Sequence, residues 1–225
     1  MEPVPLSRDG SVHVTDERIS TISHLAAACF ALVGTGLLVA QAATQGDPWK
    51  VVGLAVYGAG MILLFSASAL HHGIDGSPRT NQVLRTLDYA AVFTLIAGTV
   101  TPLVLVVFRN TFGWTVLGAV WVIAIAGIVV RSVFPQLPKY VTSTLYIVLG
   151  WIPVLLVASG VTMPFGAYAL LAAGGLAYSL GFVVFVAERP NPVPGRFGFH
   201  EIWHLLVVLA ALLHYLLMYW FVLPA

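Results

Sequence analysis

The residues best suited to chemistry lie near the C-terminal end, in Phe199-His200-Glu201-Ile202-Trp203-His204, ahead of an apolar run that reaches Leu223. Histidines four apart on a helix share one face, separated by one turn or roughly 6 Å. Two imidazoles so placed can reach a single metal ion, a recurrent zinc-binding device. Further candidates stand where other apolar runs begin or end: His24, the pair His71 and His72, and Asp88. His71 and His72 are rotated about 100° from one another around a helix, so at most one of them is expected to face the cluster. Three neutral histidines with a fourth position left to solvent make the pattern of a catalytic zinc site, and a nearby carboxylate would orient or deprotonate the metal's water.

The elements that must position these residues follow from composition. Of 225 residues, 59% are hydrophobic and 8% charged, against roughly 25% charged in a soluble domain. Mean hydropathy is +0.94. No single soluble core hides that much apolar surface, so the chain reads as an integral protein of the cell membrane. Seven apolar runs are long enough to span the bilayer, at about Ile22–Gln41, Val51–Leu70, Tyr89–Phe108, Trp114–Val130, Val141–Ala158, Met163–Ala187 and Ile202–Leu223. Lipid offers no partner to an open backbone, so each is expected to be a helix. The fold class is therefore all-α: a tail over residues 1–21 and a seven-helix domain over 22–225. Pro102 and Pro153 should kink the third and fifth spans. Recurrent glycine and alanine in the second, fourth and sixth spans fit close helix packing.

Eight of the ten Lys and Arg fall in the tail and the even-numbered connections: Arg8, Arg18, Arg79, Arg85, Arg131, Lys139, Arg189 and Arg196. Lys50 and Arg109 fall on the other side. The positive-inside rule then puts the N-terminus in the cytoplasm and the C-terminus outside. The longest connections are expected at His71–Asp88 and Glu188–Glu201, the second turn-rich because of its prolines. The first twenty residues carry charges and no apolar core, so no cleaved signal peptide is expected. The single cysteine, Cys29, rules out a disulfide within the chain.

On this topology the second span ends, and the first, third and seventh begin, at one depth on the cytoplasmic side, bringing His24, His71, His72, Asp88, His200 and His204 to one level. Ionisable groups at membrane depth are costly and usually face a cavity or one another. Each also has a plainer reading. His72 suits a helix C-terminus, Asp88 suits an N-cap, and Ser68 suits a bond to its i−4 carbonyl. His24 reads as a hydrogen-bonded core histidine. His214, ten residues past His204 and about 15 Å further along the helix, is too deep for the cluster and should bond a neighbouring helix.

Three segments carry a resemblance: Ser68-Ala-Leu-His-His72; Leu87-Asp88-Tyr89 with Ile96-Ala-Gly-Thr-Val-Thr-Pro102; and Pro192-Val-Pro-Gly-Arg-Phe-Gly-Phe-His-Glu-Ile-Trp-His204. Together they resemble the progestin and adiponectin receptor family, most closely its bacterial haemolysin III branch. The resemblance implies zinc held by His72, His200 and His204, with Asp88 on the metal's water and Ser68 in support. The family's Ser-x-x-x-His spacing selects His72 over His71. Its Glu-x-x-Asn before the first span is altered here to Glu17-Arg18-Ile19-Ser20.

The expected activity is zinc-dependent hydrolysis of a membrane lipid amide, ceramide-like in class, with membrane lipid as substrate or ligand and no nucleic-acid partner. Other readings are a zinc-stabilised regulator or sensor of membrane lipid state, and a haemolysin-type lytic protein. His200-Glu201-x-x-His204 also matches the HExxH of zinc proteases, with Glu201 as general base.

Overall fold

The structure, a computed structural model, describes residues 17–193 and 196–225. His13, the side chain of Glu17 and the Pro194-Gly195 step lie outside the described residues. The described chain is helical, and its seven long helices are all apolar and long enough to cross a membrane. Their α-helical parts are α1 (Glu17–Thr44), α2 (Pro48–Gly73), α3 (Pro78–Pro102), α4 (Thr111–Val133), α5 (Lys139–Trp151), α6 (Phe165–Ala187) and α7 (Phe199–Leu217), and the third, fifth and seventh spans run on to Val107, Ser159 and Val222.

Helix geometry changes where proline was expected to disturb it. After Pro102, α3 continues as a wider π-type turn over Leu103–Val107, closed by Phe108 N–H donating to the Leu103 carbonyl at 2.9 Å. At Pro153, α5 tightens into a 3₁₀ stretch over Ile152–Ser159. A second π-type turn, Met218–Val222, ends α7 without a proline.

The largest departure from the sequence reading is the start of α3. Polar residues from Pro78 to Leu87 continue the helix below the apolar run, so the connection to α2 is only residues 74–77. Ser77 is the N-cap, its hydroxyl accepting from Thr80 N–H at 3.2 Å, with Pro78 in the first turn. Both are standard helix-start residues. Asp88 therefore lies inside a helix rather than opening one, and its reading as an N-cap fails.

The α2–α3 pair forms the centre of the bundle. It approaches closely because glycines face backbone across the contact. A Cβ at Gly60 would sit 3.2 Å from Leu95 Cα, and one at Gly98 would sit 3.1 Å from the Val56 carbonyl oxygen. In α6, a Cβ at Gly174 would run into the His214 ring, and one at Gly181 would lie 2.7 Å from Trp203. Glycine composition thus does specific packing at these positions, whereas Gly118 and Gly175 face open space. Tyrosine hydroxyls add ties between helices, donating from Tyr146 to the Tyr89 carbonyl at 2.7 Å and from Tyr215 to the Gly34 carbonyl at 3.2 Å.

Enlarging Gly98 should force α2 and α3 apart. Gly98→Val is expected to destabilise the protein by about 1–3 kcal/mol through overpacking, whereas Gly118→Ala should stay within about 0.5 kcal/mol. Thermal unfolding in detergent would check the pair; equal midpoints would show that the close approach carries no energetic weight.

Candidate metal centre

At one end of the bundle, the last turn of α2 meets the first turns of α7 and the lower part of α3. His72 is 3% exposed, His200 3% and His204 2%. Their ring centroids form a nearly equilateral triangle: 4.9 Å for His72–His200, 4.8 Å for His72–His204 and 4.9 Å for His200–His204. The ring planes cross at 76°, 71° and 77°. One ring nitrogen from each lies within 4.8 Å of the others, so the three could hold a metal ion.

The spacing can be tested against coordination geometry. Three imidazoles on one tetrahedral ion, at metal–nitrogen distances of about 2.1 Å, would set their centroids about 5.2 Å apart. The observed triangle is tighter by a few tenths of an ångström. His204 Nδ1 is also buried without a hydrogen-bond partner, and the Ser20 carbonyl lies against the same ring as a hydrogen-bond acceptor. A carbonyl on one side and an open nitrogen on the other is the usual setting of a metal-bound histidine.

Asp88 joins from α3. Its side chain is half-buried and hydrogen-bonds Ser68 of α2, which is 2% exposed. A group with His71 and His72 brings ligand atoms of all three within 4.8 Å of one another. Of the adjacent pair only His72 belongs to the three-histidine group, while His71, its ring 4.7 Å from that of His72, falls in a second group with His72 and Asp88. The rotation between them is real, but α2 is enclosed on several sides. One ring turns toward α7 while the other stays beside α3.

Glu201 is fully buried, and its Oε2 accepts from Gly198 N–H at 2.7 Å. It therefore closes the start of its own helix and belongs to neither ligand set. Asn191 supports the same turn, its Oδ1 accepting from Phe199 N–H at 3.0 Å. The proline-rich connection is pinned by paired backbone bonds between Val193 and Phe197, at 3.0 and 2.8 Å. Residues around His200 are thereby fixed in register.

His24 lies in the core, 3% exposed, and engages the cluster by stacking on His204 at 3.9 Å while meeting Phe65 edge-on at 5.1 Å. His214 is separate, as expected, with Nε2 3.3 Å from the Leu171 carbonyl of α6. Arg131 escaped the sequence reading, which counted it as a loop cation. It is 1% exposed, its guanidinium lies 4.1 Å from the Tyr89 ring centroid, and its Nη1 donates to the Leu137 carbonyl at 3.1 Å. With Tyr146 bonded to the Tyr89 backbone, it anchors the turn that carries Asp88. Its position at the very end of an apolar run, with an aromatic residue at the start of the neighbouring one, was the available signal.

The cluster forms the floor of a cavity between α2, α3, α5, α6 and α7. Its walls are largely apolar, including Leu64, Val92, Ile96, Val100, Leu103 and Phe182. The lining runs from His200 to His214, 14 residues or about 21 Å along α7. Gly150 and Trp151, both exposed, also line it, so the cavity reaches the lipid-facing surface beside α5.

The chain matches the family described as haemolysin-III related over residues 12–215. Hemolysin-3 of Bacillus cereus is 32% identical over 212 residues, covering 94% of each chain. The Hemolysin-3 homolog of Bacillus subtilis (strain 168) is 31% identical, covering 87% of this chain and 89% of the relative. The monocyte to macrophage differentiation factor of Homo sapiens is 27% identical, covering 82% of this chain and 75% of the relative. No solved structure matches the chain.

A three-histidine ion predicts selective losses. Elemental analysis should find about one equivalent of metal per chain, lost in His72→Ala, His200→Ala and His204→Ala and retained at equilibrium in His71→Ala. Removing it with a chelator should lower the unfolding temperature, since an ion present at 1,000 times its Kd stabilises by about 4 kcal/mol. Retention of metal in His204→Ala would contradict the triangle.

Proposed function

Because the chain belongs to the haemolysin-III-related family, we propose that it is a zinc-dependent hydrolase of the cell membrane, acting on the amide bond of a ceramide-like lipid. The observation that carries this reading is the conjunction of a buried imidazole triangle and a serine-supported carboxylate at the foot of an apolar cavity. The N-terminal end of the bundle is read as cytoplasmic, from the basic residues gathered there.

Three neutral nitrogen ligands and no thiolate favour zinc among common ions. When bound, zinc supplies a Lewis acid that brings the ionisation of water near neutrality. His72, His200 and His204 would hold it from two helices. Asp88 takes the proton of the attacking water as that water adds to the amide carbonyl carbon. It returns the proton to the leaving amine as the carbon–nitrogen bond breaks. Ser68, bonded to Asp88, holds the carboxylate in the orientation this transfer requires. The apolar walls take the acyl chain and keep bulk water from the carbonyl. Access beside Gly150 and Trp151 suits a substrate that arrives from the bilayer.

The competing protease reading makes Glu201 the base. Glu201 Oε2 is already committed to Gly198 N–H, and Asp88 comes from another helix with its own support. Glu201→Gln should therefore retain most turnover of a ceramide-like substrate, while Asp88→Asn should lose two to four orders of magnitude, roughly the usual contribution of a general base. Mass-spectrometric measurement of released fatty acid, with zinc content determined in parallel, checks this. Full zinc in both variants with no lipid cleaved by any form would leave the metal a structural element of a membrane regulator.

A further inference from the structure

His71 has no part in the mechanism above, yet it is 4% exposed and belongs to a ligand set of its own with His72 and Asp88. It also lines two cavities. One is the main cavity; the other is a surface opening bounded by Pro78, Asn81, Gln82 and Arg85, where the short 74–77 connection leaves α2. His71 thus stands between the outside of the bundle and the buried triangle.

The two ligand sets share His72. A neutral imidazole has one free lone pair, on whichever nitrogen lacks the proton. His72 therefore binds one ion at a time, and the two sets are alternatives. One set draws on α2 and α3 and contains a half-buried carboxylate. The other draws on α2 and α7 and is buried throughout. A hydrated cation needs a ligand it can meet before it sheds its water. His71, which lines both the opening and the main cavity, is the ligand such an ion meets first, with the Asp88 carboxylate behind it on the cavity side.

We propose that His71, His72 and Asp88 form a loading site, which captures the divalent ion from the opening between α2 and α3 and passes it to His200 and His204 by exchange on His72. The exchange is a ligand substitution: bonds to His71 and Asp88 break as bonds to the α7 histidines form, with no change in oxidation state. It also gives Asp88 a position beside the ion once transfer is complete. This inference rests on the resident three-histidine site proposed above.

Metal-free full-length protein in detergent, mixed rapidly with Co²⁺ alone, tests it by visible absorption. Wild type should show an early spectrum of an oxygen-containing site giving way to that of the three-histidine site, ending at about one ion per chain. His71→Ala and His71→Gln should reach the same final spectrum on the order of tenfold more slowly, as expected for loss of a supporting ligand, without the early species. A single-step rise to the final spectrum in wild type, or wild-type loading rates in both variants, would overturn the loading role. Two ions bound at once would overturn the exchange. Loss of metal from His204→Ala tests the resident site independently, so its failure is distinguishable from failure of the loading step.

Discussion

Four imidazoles packed ring against ring at an apolar helix end set the terms for everything around them. Burying an imidazole is costly unless its polar atoms are met, and here His24, His72, His200 and His204 are each no more than 3% exposed. A cation shared by His72, His200 and His204, as proposed above, would give each of these three a bond. The helices would then have to hold the rings at the right separation before it arrives. The glycine contacts that bring α2 against α3, and the Asn191 and Glu201 bonds that fix the first turn of α7, do that work at a distance from the three rings.

The same contacts link stability to chemistry. Tyr89 receives Arg131 on its ring and Tyr146 on its carbonyl, so α4 and α5 both steady the α3 turn next to Asp88. Ser68 meets the carboxylate from α2. The Asp88 carboxylate is thus met by Ser68, while the neighbouring Tyr89 is fixed by Arg131 and Tyr146. In the proposed reaction, such support would limit the carboxylate's freedom to relax away from the water, the preorganisation a proton-transferring group requires.

Much of this was legible in the chain itself. Hydropathy alone located seven spans, because the bilayer permits only continuous helices. The HxxxH spacing placed His200 and His204 on one face without reference to any neighbour. What spacing does not encode is which side of a helix is enclosed. His71, about 100° from His72 around the helix, stays out of the three-histidine group, but spacing does not show that it meets Asp88 of α3 in a second one. Asp88 was placed at a helix start because hydropathy falls there, although Ser77 and Pro78 mark the true beginning one bilayer interface lower. Arg131 was counted in a connection, whereas the Tyr89 ring and the Leu137 carbonyl from neighbouring segments receive its buried guanidinium. Local signals located the elements; the errors all concern polar residues whose surroundings come from other helices.

The central claim is that three imidazoles and one exchangeable oxygen surround a single zinc ion. X-ray absorption at the zinc edge of the purified protein tests it most directly. The account predicts a first shell of nitrogen and oxygen at about 2.0–2.1 Å with four ligands, and outer-shell scattering from three imidazole rings. An all-oxygen octahedral shell, or scattering from fewer than three rings, would contradict it.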